Sequence, residues 1–119
     1  MIGRLFAVGA MVVAAVMAAS AARAETFENG NSLYQKCSAG IGQVEYSSCQ
    51  AYVTGVSDVM SEGDSVGGYT ACFPPDFKVG QAKDAVTQFL TSHPEWRHHA
   101  AAELVAEALA EAFPCLPSK

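Results

Sequence analysis

Four cysteines in a short chain, all downstream of an export-type leader, constrain this sequence more than any other feature. Met1 to Arg4 supplies a short positive start, and Leu5 to Ala19 is an uncharged, mostly apolar run of 15 residues. Ala22-Arg23-Ala24 then gives the small-x-small pattern that signal peptidase cuts after. The run is shorter than the roughly 20 residues a membrane-spanning helix needs, which favours a cleaved signal over an uncleaved anchor. Residues 1–24 are therefore expected to leave as a signal peptide, and the mature chain, 25–119, to work in the periplasm. Thiols oxidise there, so Cys37, Cys49, Cys72 and Cys115 read as two disulfides before they read as redox or metal residues.

Taking 24 residues from 119 leaves 95, a single small domain. A chain of that size buries only roughly 60–70% of its unfolded surface, so covalent staples have a clear physical use. Arg4 and Arg23 depart with the signal while all 12 acids stay, and the formal charge moves from −5 to −7. That balance argues against nucleic acid or an anionic membrane surface as a partner, since both reward a basic face.

Helical periodicity dominates the mature chain. Asn29-Gly30-Asn31 offers capping and turn chemistry before a short first helix over 32–37. Residues 38–42 read as a loop. Cys49, Tyr52, Val53, Val56 and Met60 then fall on one face of a second helix. Gly55 within it suggests a close approach by another helix, and Gly63 is a plausible stop. Residues 63–77 read as one long irregular segment, punctuated by Gly67-Gly68 and Pro74-Pro75.

From Val79 the helical pattern resumes, with Ala82, Val86, Phe89 and Leu90 on one face, although Lys78, Val79 and Gly80 are weak caps. Pro94 halts this helix and opens the next. There Trp96, Ala100, Leu104, Ala108 and Ala112 recur at four-residue steps, with Leu109 and Phe113 beside them. Glu103, Glu107 and Glu111 step along a solvated face, and Pro114 ends the helix. No stretch alternates as a sheet would. The expected fold is all-α, a small bundle of four main helices stapled by two disulfides. Four cysteines allow three pairings. An up-down bundle favours Cys37–Cys49 with Cys72–Cys115, while the long loop could also carry Cys72 across the bundle.

Catalytic signals are scarce. There is no phosphate loop, no Cys-x-x-Cys, no haem motif and no HExxH. His98 and His99 point about 100° apart on a helix, whereas metal-ligand pairs sit at i, i+3 or i+4. His93, beside Pro94, is a candidate cap for the last helix. Glu103 with Glu107, and Asp58 with Glu62, read as solvated stripes rather than acid–base pairs, and Trp96 and Phe113 as core aromatics. No catalytic residue, metal or cofactor is expected. Two regions remain as candidate partner-binding surface. The 61–76 segment carries Asp64, Tyr69 and Phe73, and loops this long are often functional, though a tethered connector is the alternative. The corner at 92–99 presents Arg97 and His98.

The ordered set Gly30-Asn31 to Cys37, Cys49-Gln50-Ala51-Tyr52-Val53-Thr54-Gly55-Val56, Cys72-Phe73-Pro74-Pro75, Val79-Gly80-Gln81, Phe89-Leu90, His93-Pro94-Glu95, Ala100-Ala101 and Ala108-Leu109-Ala110-Glu111-Ala112-Phe113-Pro114-Cys115 resembles the Rap1a/Tai family over about residues 29–115. The resemblance implies a small exported helical protein that confers immunity. It would bind and occlude a peptidoglycan amidase toxin delivered by type VI secretion, in some members as a homodimer. Lys78 departs from the pattern, standing where the family often has a capping Thr or Ser. A second expectation, from a different class, is a general periplasmic envelope-stress or chaperone-like protein with no toxin partner.

Overall fold

The computed structural model describes residues 26–116, so the signal-peptide expectation for 1–24 lies outside the described residues. The fold is all-α: α1 (Gly30–Cys37), α2 (Val44–Ser61), α3 (Val79–Ser92), a 3-10 turn (Pro94–Trp96) and α4 (Ala101–Ala112). The central α2 packs against α1, α3 and α4, and α3 and α4 pack on each other. Leu33, Val53, Met60, Val86, Leu90, Leu104 and Leu109 are fully buried between them. Each lies where the helical period of its own segment placed the apolar face.

Both disulfides pair as an up-down bundle favours, Cys37–Cys49 and Cys72–Cys115. Their sequence separations are 12 and 43. In the chain-entropy model these stabilise by about 3 and about 4 kcal/mol respectively, against a typical total of roughly 5–15.

The first and last helices are joined at their N-termini by a reciprocal exchange. Asn29 caps α1, its Oδ1 accepting the Ser32 amide at 3.0 Å while its own amide donates to Ser32 Oγ at 3.2 Å. The first amides of α1 then donate outward, Gly30 to the His99 carbonyl at 3.0 Å and Asn31 to the Arg97 carbonyl at 2.8 Å. In return the Glu28 carbonyl accepts the Ala101 amide, at the start of α4, at 3.1 Å. Groups that would otherwise be orphans at two helix starts are satisfied together. The approach is so close that a Cβ on Gly30 would lie 2.7 Å from Arg97 Cα and 2.5 Å from Leu104 Cδ1.

This junction corrects two expectations. The last helix does not begin at Pro94. Residue 100 is extended and forms a bridge with Asn29, so helix can start only at Ala101. Trp96 consequently leaves the α4 face; it sits half-buried with its ring stacked on His93 at 4.1 Å and 5.9 Å from Phe89. His93 ends α3 and meets Glu95 instead of capping α4. The close helix approach is made at Gly30 and not at Gly55, where a Cβ would meet open space. Gly63 does stop α2, with φ of +91°. At Lys78 the missing capping side chain is offset from the other direction, because Gln81 Oε1 accepts the Lys78 amide at 2.9 Å.

Two cations work inside the fold. Lys83 is buried, its Nζ donating to the Cys37 carbonyl at the end of α1 and lying 4.5 Å from the Tyr46 ring centre. An ammonium there complements the negative end of the α1 dipole. Lys36 pairs with Glu28 Oε2, and the second Glu28 oxygen is buried without a hydrogen-bond partner. Partial burial pushes the Glu28 carboxyl up, but the Lys36 hydrogen bond and charge, with the nearby Ser32 hydroxyl, outweigh it and leave it below its ordinary value. Tyr52 is pushed up by burial and then by the Glu28 charge, with the Ala102 amide acting the other way.

Gly30→Ala should lower the melting temperature by at least about 5 °C, as overpacking of roughly 1–3 kcal/mol does in a domain of this size; thermal unfolding followed by circular dichroism checks this. A depressed folded pKa means that Glu28 stabilises above its ordinary value of 4.5 and ceases to do so as pH falls through the lower folded value. Glu28→Gln should therefore be less stable than the wild type at pH 7, with the gap closing as the pH is taken down to 3. A gap that stayed constant across that series would count against the assignment.

Candidate partner-binding surface

Residues 62–78 are not irregular throughout. Val66 and Tyr69 exchange backbone hydrogen bonds of 3.1 and 3.0 Å around Gly67-Gly68, whose φ angles are +59° and +85°. Two successive positive φ values make a type I′ turn, the tight connection that suits a hairpin and favours glycine. The tip lies against α4: a Cβ on Gly67 would come 2.9 Å from Glu103 Cγ. The carboxylates expected to form a solvated stripe are thus partly covered here, with Glu107 half-buried and Glu103 still exposed. Tyr69 faces them, and its hydroxyl is pushed up by burial and then by the negative charge of Glu107 and Glu103.

Beyond the hairpin the loop is anchored to the end of α4. The Cys72 amide donates to the Phe113 carbonyl at 2.9 Å, beside the disulfide to Cys115. Phe73 stacks on Phe77 at 4.3 Å, and both meet the Phe113 ring edge to face at 5.4 and 4.9 Å. Phe73 is therefore half-buried in an aromatic cluster that shapes the loop, while Asp64 is exposed near its start. Between this loop and the end of α2 runs an open groove of about 540 Å³ lined by Met60, Ala71, Phe73 and Phe77, with Ser57 and Asp58 among its polar groups.

The 92–99 corner divides into two roles. Arg97 is half-buried: its Nε donates to the Leu90 carbonyl at 2.6 Å, and its guanidinium stacks 3.6 Å above the Tyr34 ring. It clasps α1 to the end of α3. His98 is exposed, with its ring 4.3 Å from that of His99. Asp64 and Tyr69 thus lie on the same loop, Phe73 packs into the aromatic cluster at the loop's far end, and Arg97 and His98 belong to a separate corner. Two residues the sequence gave no reason to single out are Ile41, 87% exposed on the turn between α1 and α2, and Val44, 78% exposed at the first position of α2. An isoleucine between two glycines was the available signal, too common a pattern to weigh by itself.

The surface offers contact and little chemistry. Among the described residues no group of three His, Cys, Asp or Glu side chains could hold a metal ion. Neither is any described helix long and apolar enough to cross a membrane.

A family model described as Rap1a immunity proteins matches residues 29–115, from the α1 cap to the second disulfide. No curated protein and no solved structure matches the chain. The match takes in all four helices, both disulfides and the hairpin loop, and the chain belongs to the Rap1a immunity protein family, whose members act against toxins as inhibitors rather than as enzymes.

Proposed function

We propose that the protein is a periplasmic immunity protein that binds and occludes a peptidoglycan amidase delivered by type VI secretion. Family membership across residues 29–115 is the observation that carries this reading. Residues 1–24 act as the signal peptide, and the mature domain meets the toxin outside the cytoplasm. Inhibition by occlusion needs no catalytic group. It needs a surface held in one shape, because ordering a loop on binding would subtract from affinity. A type I′ turn seated on α4 and a loop fixed by a disulfide and three phenylalanines favour such preorganisation.

In this reading Asp64 and Tyr69 contact the toxin, His98 extends the surface, and Phe73 and Arg97 keep it in shape. Oxidised mature protein should capture one exported amidase stoichiometrically and abolish its cleavage of peptidoglycan. Only weak, equal binding across a broad amidase panel would overturn the proposal. Once the toxin is captured, Tyr69→Ala should weaken binding and also lower the melting temperature, because Tyr69 seats the hairpin on α4. Asp64→Lys should weaken binding by at least roughly tenfold with little change in melting temperature. Arg97→Ala should do the reverse first, lowering the melting temperature through loss of the Leu90 and Tyr34 contacts. Parallel calorimetry and thermal melts separate the two effects.

A further inference from the structure

The two disulfides meet solvent very differently. Cys37 and Cys49 are 2% and 0% exposed, enclosed where α1 and α2 pack. Cys72 and Cys115 are both exposed; Cys72 lines the open groove at the end of α2, and Leu116 beside Cys115 is 86% exposed. They also differ in what they hold. The first joins two helices that are packed together in any case. The second ties the 62–78 loop to the tail that follows α4, helped by one backbone hydrogen bond and the phenylalanine cluster. Of that loop only Ala71 is buried; Val66, Tyr69, Phe73 and Phe77 are partly buried against the core, and the fully buried leucines and valines all lie in the helices.

Thiol–disulfide exchange requires an attacking thiolate to reach a sulfur, so access decides which bond opens. We propose that Cys72–Cys115 is a selectively reducible latch, opened by a dithiol while Cys37–Cys49 stays closed, and that opening frees the 62–78 loop without unfolding the bundle. One thiolate of the dithiol attacks Sγ of either cysteine, breaking the S–S bond and forming a mixed disulfide. Its second thiol displaces that sulfur and closes the reagent's own disulfide. Two electrons pass to the protein, and Cys72 and Cys115 each end as a thiol carrying one proton. The latch stands on exposure and topology and is independent of the proposed toxin; only its effect on toxin capture would rest on that reading.

The test is a dithiothreitol titration of the oxidised mature protein without denaturant, quenched by alkylation and mapped by peptide mass. Label should enter Cys72 and Cys115 at least roughly tenfold faster than Cys37 and Cys49. Helical circular dichroism should hold, with amide exchange rising across 62–78 and 113–116. Labelling of all four cysteines together, first labelling at Cys37 and Cys49, or loss of helicity when only Cys72 and Cys115 are reduced would overturn the proposal. The double variant C72A/C115A provides a second readout in the absence of reductant. Wild-type helicity with raised exchange confined to the same two segments supports the latch, and a molten or unfolded variant refutes it.

Discussion

The contact of the Gly30 backbone with Arg97 and Leu104 governs the arrangement of everything else. A helix of eight residues is too short to hold itself together in water, because nucleation is costly and few bonds follow it. Here α1 is held because its first amides are accepted by carbonyls of the 97–99 turn while Glu28 returns a carbonyl to α4. That exchange requires the two backbones almost to touch, which excludes any side chain at position 30. It also holds residue 100 out of helical geometry, so the chain between α3 and α4 becomes a corner and not a continuous rod. Arg97 then closes the corner from outside, over Tyr34 and onto the end of α3.

A domain this small has little apolar surface to spare, and its covalent and polar devices are distributed accordingly. One disulfide ties the α1–α2 end; the other closes the longest loop onto the C-terminal end of α4. The buried Lys83 ammonium sits where a helix presents carbonyls without partners. The hairpin, by contrast, rests on the acidic face of α4 through a glycine turn and one tyrosine, with Val66 and Tyr69 only partly buried against the core. Rigidity at such a place comes from turn geometry and tethers instead of from burial.

Much of the fold was legible because helical periodicity is local. The faces Cys49, Val53, Met60 and Ala82, Val86, Leu90 follow from spacing alone, and up-down packing favoured the disulfide pairing that is seen. The start of α4 was not legible. Pro94 suits the first turn of an α-helix and of a 3-10 turn equally, and the carbonyls that break the run are claimed by the distant segment 28–31. Gly30 and Gly55 look alike in sequence, and only tertiary contact separates them. At the candidate surface loop length and residue type point to Asp64 and Tyr69, whereas the inward placements of Phe73 and Arg97 depend on partners far along the chain. The Val66–Tyr69 hairpin was written in Gly67-Gly68, but one residue pair gives no alternation to recognise.

The inward use of cations has a consequence for how other molecules approach. Of the four Lys and Arg residues in 26–116, Lys36 is paired with Glu28, Lys83 is buried, and Arg97 is spread over Tyr34; only Lys78 stands clear. The carboxylates outnumber them and lie mainly outside, so the long-range field is net negative. A basic surface would be drawn in and oriented before contact, and an acidic one turned away. That guidance acts over about 10 Å at 0.1 M salt, so ionic strength would alter the rate of encounter well before it altered the rate of release.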